Sequence, residues 1–153
     1  MQPNIQKLSL DNPEQAEKAW KLFQKSYRME ADLIETDDFP PLRRTIQEMQ
    51  SSSTRFYGFI IDGGLAGVIE LNSVSQELDI CSLVVDPYHF RKGIASQLLE
   101  FAIETYQPST CVVETATKNL PAIRLYQSKG FVEEEIWMTN FDIEKIKLRR
   151  ASK

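Results

Sequence analysis

The hydrophobic residues of the chain repeat with two periods, and their order predicts a sequence of alternating strands and helices. Alternation with a period of two predicts strands at 4–10, 55–62, 65–74, 77–86, 110–116, 131–141 and 144–151. The last of these could also be a short tail helix, but the alternation of Ile146 and Leu148 favours a strand. A period near 3.6 predicts helices at 14–27, 93–106 and 119–130, and one opened by "DDFP" with Leu42, Ile46 and Met49 as its apolar stripe.

The element order β-α-α-β-β-β-α-β-α-β-β predicts the fold class. Strands joined by short turns such as Gly63-Gly64 form antiparallel hairpins, whereas a strand, a helix and a strand in succession form a parallel crossover. The strand with Val84 and the strand with Val112 should therefore run parallel. We expect one α/β domain over residues 1–153, with a central mixed sheet of about seven strands and helices on both faces.

Composition and charge exclude several classes of function. The net charge of −4 argues against a general nucleic-acid-binding protein. No apolar run approaches the roughly 20 residues that span a bilayer, and the N-terminus lacks the apolar core of a signal peptide, so we expect a cytoplasmic protein without a membrane segment. Cys81 and Cys111 lie in apolar runs and are expected to be buried, reduced thiols. With His89 as the only histidine, no metal site is expected.

The segment "VVDPYHFRKGIASQLLEF" has the features of an anion-binding loop. Arg91, Lys92 and Gly93 stand between a strand and a helix, and Ile94, Ala95 and Ser96 form the first helical turn. Unpaired N–H groups and the positive end of the helix dipole favour a phosphate there, and glycine allows a close approach of the backbone. A surface loop whose basic residues face water is the alternative. The glycine spacing of nucleoside-triphosphate and dinucleotide loops is absent.

These residues and a second segment resemble the GCN5-related N-acetyltransferase (GNAT) superfamily. The loop Phe90-Arg91-Lys92-Gly93-Ile94-Ala95 is similar to the family pattern Gln/Arg-x-x-Gly-x-Gly/Ala, with Phe90 where the family has Gln or Arg. Asn119 and the run from Ala122 to Phe131, "AIRLYQSKGF", match the family's next helix at the expected distance. The resemblance covers the whole chain in element order and is strongest from Leu78 to Phe131.

The resemblance implies acetyl-coenzyme A as co-substrate. In this family the pantetheine arm lies in a splayed gap between the fourth and fifth strands, where it would bond to the backbone of Leu83, Val84 and Val85. The diphosphate would be bound by the loop and helix start, which comprise Arg91, Lys92, Gly93, Ile94, Ala95 and Ser96. Asn119 would either contact the cofactor or cap its own helix.

The resemblance also suggests catalytic residues. Tyr126 matches the tyrosine that often protonates the leaving thiolate, although a helical tyrosine can simply pack on the sheet. Asp79 is the first candidate for the base that accepts the proton of the amine, with Glu70 and Glu114 as alternatives; each could instead be a solvent-facing carboxylate. The acidic segment between the first two helices could suit a basic acceptor or be a solvated linker; its carboxylates are Glu30, Asp32, Glu35, Asp37 and Asp38.

The function implied is direct transfer of an acetyl group to a primary amine of a small molecule or protein in a ternary complex. The alternative is a non-catalytic module of the same fold that senses acyl-coenzyme A or binds a protein. The partners expected are acetyl-coenzyme A and an amine acceptor, without nucleic acid or membrane. A homodimer could form through the last strand.

Overall fold

The computed structural model describes residues 4–152, which form one seven-stranded sheet with helices on both faces. The strands are β1 (Ile5–Lys7), β2 (Arg55–Ile61), β3 (Gly64–Val74), β4 (Glu77–Val85), β5 (Thr110–Ala116), β6 (Val132–Met138) and β7 (Glu144–Ala151). The α-helices are α1 (Pro13–Leu33), α2 (Ile46–Ser51), α3 (Ile94–Tyr106) and α4 (Leu120–Ser128). Two short 3₁₀ turns lie at Pro40–Arg43 and Pro87–His89.

The sheet has the order β1-β2-β3-β4-β5-β7-β6 and is antiparallel except between β4 and β5. The predicted mixed sheet with one parallel pair is therefore confirmed. Helix α3 makes the crossover between the two parallel strands, as the change of hydrophobic period before Ile94 predicts.

The first two helices differ from the prediction in their bounds. Helix α1 continues to Leu33, so residues 28–33 are helical rather than part of a linker. The second helix begins only at Ile46, because Thr45 and Glu48 form a reciprocal capping box there. The proline pair before it forms the 3₁₀ turn Pro40–Arg43 instead. The structure thus places the acidic end of α1 beside a separate, proline-stiffened segment.

The hairpin turn between β2 and β3 lies one residue earlier than predicted. Asp62 and Gly63 both have positive φ, 50° and 77°, whereas Gly64 already pairs with Ile61. Two successive left-handed residues form the turn whose twist matches that of the flanking strands.

The expectation that the last strand pairs across a dimer is wrong. Strand β7 lies inside the sheet, with β5 on one side and β6 on the other. The backbone groups on both sides of β7 pair with neighbouring strands, so β7 itself offers no free edge to a second chain.

The core is divided by the sheet. On one face, α3 and α4 pack on a cluster that includes Leu78, Leu98, Leu148 and Phe131. On the other, α1 and α2 cover a smaller cluster that includes Phe23, Met49 and Val68. None of the helices in the described part of the chain has the length and apolar character that crossing a membrane requires.

Gly67 on β3 determines how closely α3 approaches the sheet. A Cβ atom at this position would lie 2.8 Å from Cγ2 of Ile94 and 3.2 Å from the carbonyl oxygen of Val84. Ile94 is the first residue of α3, so the missing side chain allows the start of this helix to lie directly on the sheet.

We expect Gly67→Ala to lower the free energy of unfolding by roughly 1–3 kcal/mol, because the added methyl overpacks the contact with Ile94. Chemical denaturation measures the change. Gly64→Ala is the matched control, since its Cβ would meet only Ile61 O at 3.5 Å, an ordinary contact. If the Gly67→Ala variant were as stable as the original chain, Ile94 would have to move aside for the added methyl group without a loss of stability.

Candidate active site

Strands β4 and β5 pair over less than half of the length of β4. The parallel register joins Glu77 to Thr110 at one end and Ile80 to Val113 at the other, and it ends there. Beyond Ile80, β4 continues to Val85 beside β3 and β5 continues to Ala116 beside β7. The two strands therefore separate, and the predicted gap between the fourth and fifth strands is present.

A β-bulge lies where the strands begin to separate. Glu70 pairs with Ser82 and Leu71 pairs with Ile80, so Cys81 is an extra residue in β4. A bulge bends its strand and increases the local twist, which turns the end of β4 away from β5. Cys81 is exposed there, and the expectation that both thiols are buried holds only for Cys111.

A cavity of about 880 Å³ opens beside the gap. Ile80, Ser82 and Leu83 of β4 form part of its wall, and Glu114 of β5 lies in the same lining. Asn119 and Tyr126 reach it from the α4 region. Four residues suggested for the cofactor or for catalysis thus share one cavity: Leu83, Glu114, Asn119 and Tyr126.

Tyr126 is buried, with 5% of its surface exposed, and its ring lies 5.6 Å from that of Phe131. Burial raises the pKa of its phenol well above the ordinary value, and nearby Glu30 raises it further. The hydroxyl makes no hydrogen bond to another residue within 4–152, so it can donate its proton to a group in the cavity.

Asn119 caps α4 in the structure. Its side-chain oxygen accepts a hydrogen bond from the backbone N–H of Ala122 at 3.3 Å. Its side chain also lies near Glu30 at the end of α1, where it acts to lower the pKa of that carboxyl against the larger effect of burial. Asn119 therefore has a structural role as the cap of α4, and a contact between Asn119 and the cofactor stays a prediction.

The predicted anion loop has an unusual backbone. Arg91 and Gly93 both have left-handed φ, 66° and 73°, and Gly93 is the residue that precedes α3. No side chain caps this helix within the described residues, in contrast to Asn12, Thr45 and Asn119 at the other α-helices. The first turn of α3 therefore presents N–H groups that helix geometry leaves unpaired.

The requirement for glycine at position 93 is conformational. A Cβ there would meet only the side-chain nitrogen of Gln97, at 3.9 Å, so space is available. The left-handed φ of 73° is what disfavours other residues. Arg91, Lys92 and Phe90 are exposed around the loop, and the Lys92 ammonium lies 2.9 Å from Nδ1 of His89.

The loop and the cavity are separate surfaces. Neither the residues from Arg91 to Ser96 nor Val84 and Val85 line the cavity. The side chain of Val84 packs into the α1 face of the core with 3% exposed, which leaves only its backbone for a ligand. A ligand bound to both surfaces would have to run along β4.

Asp79 does not line the cavity. It pairs with Val112 in the part of β4 that is still joined to β5. One of its carboxylate oxygens, Oδ1, is buried without a hydrogen-bond partner among the described residues. Burial, and secondly the charge of Glu77, raise its pKa. The predicted base Asp79 and the predicted acid Tyr126 therefore do not share the cavity.

Glu70 is buried beneath the cavity wall, with 1% of its surface exposed, in a fixed ion pair. Both nitrogens of the Arg44 fork donate to it, at 2.8 and 2.9 Å, and the Thr54 hydroxyl donates at 2.7 Å. Burial alone would raise the pKa of Glu70, but these hydrogen bonds and the charge of Arg44 lower it below the usual value. A carboxylate held in this way is a poor proton acceptor.

Several cavity residues carry no motif in the sequence. Tyr27 of α1 and Ser82 of β4 share a hydrogen bond of 2.7 Å across 55 positions. Lys145 of β7 binds Glu114 at 3.0 Å. Sequence reasoning missed Tyr27, Arg44 and Lys145, because nothing local marks a side chain whose partner lies on a distant strand.

The five carboxylates of the predicted acidic segment lie partly in the last turn of α1 and partly after it, and they contribute unequally to the cavity. Among them, Glu30 lines the cavity, whereas Asp32, Glu35 and Asp37 are exposed and lie outside it. Asp38 forms an ion pair with Arg43, whose guanidinium lies 5.4 Å from the ring of Phe141. This last contact joins the segment after α1 to the β6–β7 turn over the cavity.

Comparison with protein families gives a match over most of the chain. The model of the "Acetyltransferase (GNAT) family" matches residues 13–131. This range includes α1, the gap between β4 and β5, the loop at Gly93 and helix α4.

Curated relatives share part of the chain. UPF0157 protein YqkA of Bacillus subtilis is 39% identical over 111 residues, which is 72% of this chain and 32% of that protein. Streptothricin acetyltransferase of Escherichia coli is 43% identical over 79 residues, 49% of this chain and 45% of that protein. N-alpha-acetyltransferase RimI of Mycobacterium tuberculosis is 27% identical over 71% of each chain. The chain thus spans less than half of the first two relatives.

Solved structures share the fold. The PaiA N-acetyltransferase of Thermoplasma acidophilum, solved in complex with coenzyme A, superposes with a TM-score of 0.80 at 18% identity, over 99% of this chain and 100% of that one. The ribosomal-protein-S18-alanine N-acetyltransferase of Escherichia coli gives a TM-score of 0.76 at 21% identity, over 98% and 94% of the two chains.

We expect Glu70→Gln to lower the free energy of unfolding by roughly 2–4 kcal/mol, because it leaves the Arg44 charge without its partner. Glu77→Gln is the matched control: Glu77 also pairs with an arginine, Arg149 at 2.9 Å, but its side chain is 42% exposed. That change should cost less than about 1 kcal/mol. Urea denaturation at neutral pH measures both.

The free energy of unfolding that Glu70→Gln loses should also depend on pH. Since the folded pKa of Glu70 is lowered, its stabilisation is present above the unfolded pKa and is lost as the pH falls through the folded value. The difference between the original chain and Glu70→Gln should therefore shrink in acid. A difference that stays constant down to pH 3 would contradict the ion pair as its source.

Proposed function

Because the chain belongs to the acetyltransferase (GNAT) family, we propose that it transfers an acetyl group from acetyl-coenzyme A to a primary amine. The amine nitrogen attacks the thioester carbonyl, the carbon–sulfur bond breaks, and coenzyme A leaves as a thiol. Both substrates are bound at once, so neither Cys81 nor Cys111 acts as a nucleophile. Although Cys81 is exposed, partial desolvation of its thiol, and secondly the charge of Glu70, raise its pKa to about 11, which agrees with an unreactive role.

The gap between β4 and β5 is the observation that carries this proposal. Among the described residues, no strand pairs with the β4 backbone after Ile80 on the β5 side, although β4 lies in the middle of the sheet. A pantetheine arm contains amide groups and can pair with Leu83, Val84 and Val85 as an added strand would. A backbone N–H of this segment would then polarise the thioester carbonyl.

The start of α3 supports binding of the diphosphate. Its uncapped N–H groups from Ile94 to Ser96 and the positive end of the helix dipole attract an anion. The charges of Arg91 and Lys92 add to that attraction, and both side chains are exposed. The backbone supplies this site, so the replacement of Gln or Arg by Phe90 removes one side-chain contact and leaves the N–H groups in place.

Tyr126 is the proposed acid. Its raised pKa keeps the phenol protonated at neutral pH, and its hydroxyl is without a partner inside the described structure. As the carbon–sulfur bond breaks, the phenol donates its proton to the departing thiolate. The resulting phenolate regains a proton from solvent through the cavity.

The amine must give up a proton during the reaction. Of the three carboxylates suggested by the sequence, Glu114 lines the cavity, whereas Asp79 lies outside it and Glu70 is bound to Arg44. We therefore assign this role to Glu114, directly or through water. Its side chain is exposed and accepts a hydrogen bond from Lys145 at 3.0 Å.

We expect Gly93→Ala to weaken coenzyme A binding about tenfold or more, because the left-handed backbone that aims the loop N–H groups is disfavoured for alanine. Gly63→Ala is the matched control, since Gly63 has φ 77° in open space in the β2–β3 hairpin. Calorimetry with coenzyme A, and with pantetheine, which lacks the diphosphate, measures the effect. If coenzyme A binding weakened to a similar extent in both variants, the result would contradict the assignment of the loop to the binding site.

We expect Tyr126→Phe to lower kcat about 10²–10⁴-fold with unchanged coenzyme A affinity, because only the proton donor is lost. Thiol release measured with a panel of amines tests this. Tyr106→Phe is the control; its hydroxyl bonds to that of Tyr57 at 2.9 Å, and neither tyrosine lines the cavity. Cofactor binding without turnover of any amine by the original chain would favour the non-catalytic module.

A further inference from the structure

We propose that Glu30, at the end of α1, binds the ammonium group of the acceptor and selects cationic primary amines that carry no carboxylate beside the amine. The proposal rests on the acetyltransferase function above and assigns the substrate class of that same site. It goes beyond the role of Glu114, because it concerns binding of the acceptor rather than removal of its proton.

The cations of the cavity are already neutralised within the protein. Arg44 is bound to Glu70 at 2.8 Å and Lys145 to Glu114 at 3.0 Å. Arg43 forms an ion pair with Asp38. An acceptor carboxylate would therefore have to displace an internal partner to find a positive charge, whereas an ammonium group needs only a free negative one.

Within the described residues, Glu30 is the cavity carboxylate that has neither an ion-pair partner nor a role in capping a helix. Glu114 binds Lys145, and Glu48 accepts a hydrogen bond from the Thr45 backbone in the capping box of α2. None of the ion pairs within residues 4–152 involves Glu30. The polar side chain of Asn119 and the charge of the more distant Lys145 compensate its charge in part, since both act to lower its pKa.

The position of Glu30 fits a group that meets the acceptor amine. It is half-buried, and it lines the cavity together with Tyr126, the proposed donor to the thiolate. Burial raises its pKa, as expected for a carboxylate whose charge is poorly solvated. Tyr27, Phe39 and Trp137 supply aromatic walls in the same cavity, and these suit the methylene groups next to a primary ammonium.

This arrangement predicts which amines react. An ammonium group that reaches Glu30 replaces lost hydration with a charge-assisted hydrogen bond. An amine with an adjacent carboxylate brings a second negative charge to the same wall, where like charges repel. Agmatine, spermidine and a peptide with a free N-terminus belong to the first class, and free glutamate and aspartate belong to the second.

The test compares the original chain, Glu30→Gln and Asp32→Asn by thiol release with these five amines. Asp32 lies two residues further along α1, is exposed and does not line the cavity, so its variant controls for the loss of one charge. We expect Glu30→Gln to raise KM for the cationic amines about tenfold or more, as loss of a bond to a charged group implies. The KM for acetyl-coenzyme A and the kinetics of Asp32→Asn should stay unchanged.

A second readout does not depend on turnover. Because Glu30 is a poorly solvated charge, Glu30→Gln should raise Tm in the absence of substrate by about 2–4 °C, whereas Asp32→Asn should not. Unchanged KM for all amines in Glu30→Gln, or equal use of glutamate and agmatine by the original chain, would overturn the assignment of Glu30 and leave the proposed function intact. Turnover of no amine by the original chain would overturn the proposed function and this inference with it.

Discussion

The separation of β4 from β5 is the constraint on which the site depends. Strands in the middle of a sheet normally pair along their length, because unpaired backbone groups are costly when buried. Here pairing stops at Ile80, and the bulge at Cys81 follows at the next residue. Each strand stays attached on its other side, β4 to β3 and β5 to β7, so the gap has rigid walls.

The surrounding structure maintains this geometry from both faces. On one face, the missing side chain of Gly67 brings the start of α3 close to β3 and β4. On the other, Lys25 of α1 binds Asp86 at the end of β4, and Asp86 also accepts the N–H of Tyr88 in the following turn. The direction in which the chain leaves β4 is therefore fixed before it reaches Gly93, and the loop N–H groups take their position from the sheet.

The sequence predicted what depends on neighbouring residues. Hydrophobic periods located the strands and helices, and the segments around Gly93 and Tyr126 identified the family. The ion pair of Glu70 with Arg44 joins residues 26 positions apart, and no periodic pattern reports such a contact. For the same reason Asp79, chosen for its spacing from the loop, proved to lie in the paired part of β4, outside the cavity.

The charges of the cavity show how one protein can bind an anionic cofactor and a cationic acceptor. The proposed diphosphate site would use backbone N–H groups and exposed basic side chains at the start of α3, outside the cavity. Inside it, Arg44 and Lys145 are held by Glu70 and Glu114, so they add little attraction for anions. Keeping one poorly solvated carboxylate, Glu30, without a cation lowers stability, a cost that proteins commonly accept at binding sites. An ammonium group bound to Glu30 would remove that cost. Binding of the acceptor and discrimination between acceptor amines would then both depend on Glu30.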